Sequence, residues 1–195
     1  MSNDLILGWT LGLLSSLLIS LVMFWIEGMR EKRKETQRRR IEDSRIANNY
    51  GVDGKKPSMR GFDLSGAKLS GKNFSEADLE DSNLEGAKLW GTNLTGANLR
   101  QANFRRARLK GVEFINAALK SANFTGAELS EVDFTNADLR KAKLRHAKVI
   151  AECIWKGAII DESTDIDQNL LQEIRQKNEE SENKSYRRKQ KTGYR

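Results

Sequence analysis

The sequence is poor in the residues that carry most reaction chemistry. It contains one histidine and one cysteine, His146 and Cys153, and a single proline, Pro57. With one cysteine the chain cannot close an internal disulfide, which fits a reducing compartment. Neither residue has neighbouring partners for a catalytic triad or a metal set, and the acidic residues are scattered without a paired motif. We therefore expect no enzyme activity, no bound metal and no cofactor.

Long apolar runs are also lacking, with one exception. Residues 5–26 contain no charged side chain, although the whole chain carries a formal charge of +7. A helix of that length spans ~33 Å, which is enough to cross a bilayer. Cations follow this segment and none precedes it, so we expect a single-pass anchor with its N-terminus outside and the rest of the chain on the cytoplasmic side. These cations, which are also candidate contacts to anionic lipid headgroups, are Arg30, Lys32, Arg33, Lys34, Arg38, Arg39 and Arg40.

Two other interpretations of residues 5–26 are weaker. A cleaved signal peptide would be preceded by positive charge and would have a shorter apolar core. A helix buried in a soluble core would need other apolar helices to cover it. Small residues recur every four positions along the segment and form a face on which a second helix could pack closely. This candidate helix-packing face consists of Gly8, Gly12, Ser16 and Ser20.

From residue 62 to residue 160 the sequence repeats with a period of five. Neither a helix nor a strand keeps every fifth residue on one face. The pattern predicts a solenoid in which five residues form one side of a coil and then turn a corner. The large residue of each quintet and the small residue two positions before it point inward. The large positions are Leu64, Leu69, Phe74, Leu79, Leu84, Leu89, Leu94, Leu99, Phe104, Leu109, Phe114, Leu119, Phe124, Leu129, Phe134, Leu139, Leu144, Val149, Ile154 and Ile159.

Quintets such as Ala77-Asp78-Leu79-Glu80-Asp81 resemble those of the pentapeptide-repeat family. The resemblance implies an all-β solenoid: a right-handed, four-sided β-helix with four quintets per coil and about five coils. At the ~4.8 Å spacing of neighbouring strands, such a rod is ~24 Å long. Residues twenty apart should then stack, so that Phe104 lies on Phe124 and Phe114 on Phe134. The same spacing predicts an outward ladder of asparagines, formed by Asn83, Asn103 and Asn123.

The small inward position is interrupted at Phe62, Lys72 and Glu152. Because the charge of Lys72 cannot be buried without a partner, we expect the first coil to be open there. The five-residue phase places His146 at an outward corner and Cys153 at an outward flank. After the repeats, Leu170, Leu171 and Ile174 form an apolar stripe on a short helix that would cover the open end of the solenoid.

These patterns divide the chain into six parts. They are an N-terminal tail at 1–4, a transmembrane helix at 5–26, a charged juxtamembrane helix and linker at 27–61, the β-helix at 62–160, a cap helix at 161–177 and a disordered tail at 178–195.

The outer surface of the repeats offers candidate binding residues. Residues 62–160 carry fifteen Lys and Arg against twelve Asp and Glu. A twenty-residue coil would align Arg100, Lys120 and Arg140 on one side, and a second set on another side. That second set is Lys68, Lys88, Arg108 and Lys148. Exposed Trp beside Arg is typical of binding hot spots. The candidate docking residues are Trp90, Arg100, Arg105, Arg106, Arg108, Lys120, Arg140 and Trp155.

The sequence favours a non-enzymatic, membrane-anchored interaction scaffold, such as an assembly or stabilising subunit of a membrane protein complex. The membrane would be the plasma membrane, or the thylakoid in a photosynthetic bacterium, and self-association through the small-residue face is a further option. The alternative is a nucleic-acid-linked module. The resemblance includes relatives that mimic DNA and act on gyrase through acidic surfaces, which a basic solenoid does not fit. Direct nucleic-acid binding has an electrostatic basis, but outward aromatic residues are too few for a stacking platform, so nucleic acid is the less favoured partner.

Overall fold

A computed structural model describes residues 3–54 and 56–192, with side chains at 18, 20–52, 54 and 56–180. The chain forms two compact units, residues 1–41 and residues 42–195. Helix α1 is Asn3–Asn48, and its last turns belong to the second unit. As predicted, the helix runs without a break from the apolar N-terminal segment into the charged segment that follows it. A turn at Asn49 and Tyr50 follows the helix, and Gly51 then adopts a φ of 77°.

Among the residues that the structure describes, no helix combines the length and apolar character needed for a membrane span. The predicted span at 5–26 lies mostly outside them, because the side chains of residues 5–17 and 19 are not described. From the described part of this segment, Leu21, Val22, Phe24 and Trp25 are all more than half exposed.

The second unit is a solenoid with the predicted twenty-residue coil. Its four strands are β1 (Lys88–Trp90), β2 (Arg108–Lys110), β3 (Glu128–Ser130) and β4 (Lys148–Val149), which form one parallel sheet in the order β1-β2-β3-β4. Leu89 pairs with Leu109, and Leu109 pairs with Leu129. Three further rows of parallel bridges with the same spacing start at Asp63, Asn73 and Asp78. Four rows per coil make the solenoid four-sided.

The corners require a left-handed backbone, which explains the glycines of the repeat. Gly66, Gly86 and Gly126 occupy equivalent corners and have φ between 65° and 69°. Arg106 and His146 fill the same corner in other coils with φ of 53° and 60°. Glycine adopts this conformation without steric cost, whereas a side chain is strained there. The parallel bridges before and after each non-glycine corner therefore hold it in this left-handed conformation.

The core consists of columns of equivalent residues, as the period predicts. The rings of Phe104 and Phe124 stack at 4.9 Å between centroids, and those of Phe114 and Phe134 at 5.3 Å. The rings of Phe104 and Phe114 meet edge to face at 5.6 Å. Such pairs add about 0.5–1.5 kcal/mol each beyond the burial of apolar area. The predicted columns are confirmed.

The asparagine ladder is confirmed in its first rungs. The side-chain amide of Asn103 donates to Oδ1 of Asn83 at 2.9 Å, and the amide of Asn83 donates to Oδ1 of Asp63 at 3.1 Å. Asn123 lies in the same row by its backbone pairing with Asn103. Its Oδ1 accepts hydrogen bonds from the backbone and hydroxyl of Thr125. The ladder thus continues by backbone pairing beyond the amide rungs.

The predicted five-residue phase is wrong in the last coil. Asp133 pairs with Ile154 and Asp138 with Ile159, a spacing of 21, and Lys143 pairs with Asp165, a spacing of 22. Ile154 and Ile159, which were expected inside, are 50% and 48% exposed.

One extra residue between 150 and 153 shifts the side chains of residues 153–160 by one position, and the spacing of 22 at Asp165 shows a second extra residue after them. Cys153 then takes the small inward position that Glu152 was expected to interrupt, and Glu152 lies outside. Cys153 is therefore buried rather than on an outward flank. Trp155 and Ile160 take the places predicted for Ile154 and Ile159.

The end of α1 closes the first coil. The carboxylate of Asp43 accepts a hydrogen bond from the backbone N–H of Asp63 at 2.9 Å, and Ala47 is fully buried. The ring of Tyr50 lies 5.4 Å from that of Phe74. Burial, assisted by nearby Glu76, raises the pKa of the Tyr50 hydroxyl. The expected opening at Lys72 is wrong, because the Lys72 ammonium donates to the carbonyl of Asn48 at 2.8 Å, where the helix ends with partial negative charge.

The other end of the solenoid is covered by helix α2, Gln168–Thr192. Ile174 is buried in the core cluster, and Leu170 and Leu171 pack against it, which confirms a cap at this end, but the predicted start at residue 161 is wrong because the helix begins at Gln168. The expectation of disorder from residue 178 is wrong up to Thr192. This segment is rich in Glu, Lys, Arg and Gln, which have high helix propensity, and it contains no proline. Residues 193–195 lie outside the described part of the chain.

Candidate docking face

One side of the solenoid differs from the other three in its regular strands, and it carries two exposed apolar side chains, Trp90 and Ile150. We call it the strand face. It consists of the outward side chains of β1–β4 with their neighbours in the same rows, namely Lys68, Ser70, Lys88, Trp90, Arg108, Lys110, Glu128, Ser130, Lys148 and Ile150. The backbone N–H of Trp90 donates to the hydroxyl of Ser70 at 3.2 Å, which links the first rung to the second.

The strand face is strongly basic. Five of the side chains that define it are Lys or Arg, and one is acidic. The acidic side chain, Glu128, lies 3.5 Å from the guanidinium of Arg108 in the next coil. Both partners are about half exposed, so solvent screens the pair and it adds little stability. The other four cations have no salt bridge within the described residues, and the face keeps most of its charge.

A hollow lies in the middle of this face. It has a volume of about 290 Å³ and is lined by Trp90, Arg108, Leu109, Lys110, Glu128, Ser130 and Ile150. Trp90 is 50% exposed and Ile150 is 63% exposed. Trp90 and Ile150 belong to the same row, three coils apart, which corresponds to ~14 Å. The small side chain of Ser130 leaves room between them.

On the opposite side of the rod, Arg60 and Arg140 form ion pairs. Arg140 makes two hydrogen bonds to the carboxylate of Asp138, at 2.8 and 2.7 Å. These bonds lower the pKa of the Asp138 carboxyl and raise that of the Arg140 guanidinium. Arg60 bridges Glu80 and Asp81 at 3.1 and 3.2 Å. This side therefore offers a partner less uncompensated charge than the strand face.

Comparison with known proteins places this geometry in a family. Residues 61–134 match a family model described as "Pentapeptide repeat region". The pentapeptide repeat protein Rfr23 from the cyanobacterium Cyanothece 51142 is 31% identical, over 60% of this chain and 70% of that one, with a TM-score of 0.26. The chain belongs to the pentapeptide-repeat family.

Two further solved pentapeptide-repeat structures are similar to this chain. The protein alr5209 from Nostoc PCC 7120 is 27% identical, over 65% of this chain and 92% of that one, with a TM-score of 0.40. HetL from the same organism, described as involved in heterocyst differentiation regulation, is 27% identical, over 56% of this chain, with a TM-score of 0.35. The match spans 62% of the length of HetL. A search of curated proteins found no significant match.

The pentapeptide-repeat coils separate the predicted docking residues. Trp90 and Arg108 lie together on the strand face. Arg105 lies on the neighbouring side, 3.9 Å from Glu85, and Arg106 occupies the corner between the two. The cations of the opposite side, which the rows of bridges align as predicted, are Arg100, Lys120 and Arg140. The predicted set is therefore spread over three sides and does not form one site.

The prediction that Trp155 is an exposed docking residue is wrong. Its side chain is 3% exposed, and its ring stacks on Phe134 at 4.4 Å. The shifted register puts Trp155 at the end of the Phe114–Phe134 column, where its large ring covers the last phenylalanine. The sequence contains one signal of this burial. Cys153 and Trp155 repeat the spacing between the small and the large inward residue of a quintet, one position later than the five-residue phase predicts.

The two residues with reactive side chains are not part of the strand face. Burial raises the pKa of the Cys153 thiol, and the neighbouring backbone groups and Lys177 oppose this only in part. His146 is exposed at a corner, where its backbone N–H donates to Asp167 at 2.9 Å. No cluster of three or more potential metal-ligating side chains occurs within the described residues.

The structure does not test the two sets predicted on α1. Of the candidate helix-packing face, the side chains of Gly8, Gly12 and Ser16 lie outside the described residues, and Ser20 is exposed. The candidate lipid contacts from Arg30 to Arg39 are exposed, and Arg40 is half-buried. Lys34 lies 3.1 Å from Glu31. Both sets remain predictions.

Proposed function

We propose that this protein is a non-enzymatic interaction scaffold, held at a membrane by its N-terminal helix, whose solenoid binds a subunit of a membrane protein complex. The observation that carries the proposal is the strand face, a rigid, mostly unneutralised basic surface with exposed Trp90 and Ile150. A parallel ladder with a column of buried leucines beneath it (Leu89, Leu109 and Leu129) holds outward side chains at fixed spacing. That arrangement suits binding of a partner.

The membrane tether is supported by the sequence and by the described end of the apolar segment. Leu21, Val22, Phe24 and Trp25 are exposed by 52–77%, and four residues so close in sequence point to different sides of a helix. A helix that is apolar all round needs an apolar environment. The cations from Arg30 onward would stay on the cytoplasmic side, in contact with anionic headgroups.

Both the N-terminal helix and the strand face favour a subunit of a membrane protein complex as the partner. The small-residue face of Gly8, Gly12, Ser16 and Ser20 would pack against a transmembrane helix of that subunit or of a second copy. The strand face would bind the cytoplasmic part. The membrane would be the plasma membrane, or the thylakoid in a photosynthetic bacterium.

Nucleic-acid binding is the second candidate, because the strand face carries five cations against one acid. Trp90 is the one aromatic side chain among the residues that define this face, which is too few for base stacking. Affinity for duplex DNA that falls steeply with salt and is lost on Lys110→Glu would favour this candidate over the scaffold.

The test is purification of the full-length protein from its native membranes in mild detergent, followed by a native gel and mass spectrometry. The proposal predicts a stoichiometric set of membrane subunits and loss of the protein from the membrane fraction when residues 5–26 are removed. Recovery of the protein alone, or only as copies of itself, would overturn the complex-subunit role.

A further inference from the structure

We infer that the strand face binds an extended acidic segment of a partner protein, with one apolar side chain of that segment seated in the hollow between Trp90 and Ile150. The inference deepens the proposed function and rests on it, since it takes the solenoid to be the part that holds a partner.

The charges of the face define the chemistry of the segment. Lys68, Lys88, Arg108 and Lys148 follow one row along the rod, with ~4.8 Å between coils. Lys110 stands beside the row. Carboxylates along an extended segment would lie within side-chain reach of these cations, and complementary charge of this kind sets orientation and on-rate.

The hollow defines the apolar part. Its floor includes the backbone of β2 and β3 around Leu109 and Ser130, and its ends are the exposed rings and methyl groups of Trp90 and Ile150. A protruding leucine or phenylalanine side chain would bury apolar surface on both ends at once. Trp anchors in such pockets carry a large share of binding energy.

Two other anionic partners fit this surface less well. A duplex DNA backbone has no apolar side chain to fill the hollow. A lipid headgroup layer is uniformly anionic, and it would be repelled by Glu128 in the centre of the face. A peptide can place a neutral or apolar residue opposite Glu128 and carboxylates on either side of it.

The geometry also sets the direction and length of the segment. β2 is paired with β1 on one side and β3 on the other, so the middle of the face offers no free strand edge for backbone pairing. The segment is therefore recognised by its side chains and runs along the rod, across the strands. At about 3.3 Å per extended residue, the ~24 Å length of the rod accommodates about eight residues.

The experiment uses the full-length protein in detergent micelles and a fluorescent probe peptide of about eight residues, a length that matches the rod. The probe has Glu at alternate positions and one central Leu, and binding is followed by anisotropy. Trp90→Ala and Lys110→Glu are each expected to weaken binding about tenfold or more, as hot-spot losses do.

The matched control is Arg100→Glu, which reverses a charge at the equivalent exposed position on the opposite side and should leave binding within about twofold. A second probe with Ser in place of the central Leu should bind as weakly as the Trp90→Ala variant binds the first.

The inference is overturned if the probe does not bind, if Trp90→Ala has no effect, or if Arg100→Glu weakens binding as much as Lys110→Glu. Stronger, Lys110-dependent binding to anionic vesicles or duplex DNA than to the probe would also overturn it. Failure of the proposed function is distinct from these results. If stoichiometric subunits still co-purify with the Trp90→Ala protein and the probe does not bind, only the acidic segment is rejected. If the probe binds but no subunits co-purify, only the complex-subunit role is rejected.

Discussion

The middle coils and the last coil of the solenoid bury the same kinds of residue but with different spacing. Between Phe104 and Phe134, partners lie twenty residues apart, whereas Phe134 is covered by Trp155, twenty-one residues further on. In the last coil the five-residue phase continues through Ile154 and Ile159, yet both are about half exposed. The comparison shows that burial of the largest apolar surface, and not the period itself, decides which residues enter the core.

The position of the last coil explains why it can differ. A middle coil must match a neighbour on each side, so its length is fixed. The last coil has a neighbour on one side and α2 on the other, and a corner there can hold an extra residue. Burying Trp155 and Cys153 outweighs the partial exposure of two isoleucines, since burial scales with apolar area.

Deleting one corner residue in each region gives the largest expected contrast. Removal of Glu131, at a regular corner, would shorten a middle coil so that Val132 and Phe134 cannot both reach their columns. We expect a loss of more than about 4 kcal/mol in the free energy of unfolding, or no cooperative transition. Removal of Ala151 would delete the extra residue and restore a twenty-residue coil that still ends on Cys153 and Trp155. Thermal unfolding followed by circular dichroism should then change by only a few degrees, and equal losses would refute the shifted register.

Truncating one ring in each region is the next contrast. Phe124 is fully buried and contacts the rings of Phe104, Phe114 and Phe134, so Phe124→Ala should cost about 3–5 kcal/mol of global stability. Trp155→Ala should instead lower protection mainly in the last coil and α2, because terminal units open locally. Native-state hydrogen exchange separates the two outcomes. Uniform loss of protection in the Trp155→Ala protein would argue against a separate last coil.

A smaller effect is expected from the thiol of the last coil at alkaline pH. Burial raises the pKa of Cys153 in the folded state above its ordinary value of 9.0, so the folded state favours the neutral thiol. Its contribution to stability is complete below the ordinary pKa and is lost as pH rises through the folded value. Hydrogen exchange of the last coil should therefore accelerate above about pH 9 in the native protein beyond the intrinsic base-catalysed increase. The same excess in Cys153→Ala would assign it to another group.

The smallest effect is expected at an apolar residue that the period placed inside. Ile159→Lys should change the free energy of unfolding by no more than about 0.5 kcal/mol, because the side chain is already half exposed. Leu139→Lys, which buries a charge at a fully buried position of the preceding coil, should abolish folding. Denaturant titration of the two variants checks the pair, and a large loss for Ile159→Lys would place it back in the core.

The sequence predicts what depends on neighbouring coils and misses what depends on the ends. The ring stacks of Phe104 with Phe124 and Phe114 with Phe134 follow from the period alone. The capping hydrogen bond from Asp63 to Asp43 and the contact of Lys72 with Asn48 join residues that no repeat relates. The extra residue before Cys153 was concealed because Ile154 and Ile159 kept the five-residue phase.

The candidate site was predictable only in part. The row containing Lys88 and Arg108 follows from the twenty-residue coil, and so does the exposure of Trp90. The hollow beside Ser130 could not be derived, because it depends on which outward side chains of three successive coils are small. Trp155 was assigned to the surface because its burial depends on the shifted register.

The measurement that tests the central claim most directly is purification of the complex with the hollow filled. Ser130→Phe places a ring between Trp90 and Ile150, while Thr95→Phe adds the same ring at the equivalent position on a neighbouring side of the rod. We expect membrane subunits to co-purify with the native and Thr95→Phe proteins and to be lost from Ser130→Phe, with thermal unfolding unchanged in all three. Subunits retained at native stoichiometry by Ser130→Phe would contradict the strand face as the surface that holds the partner.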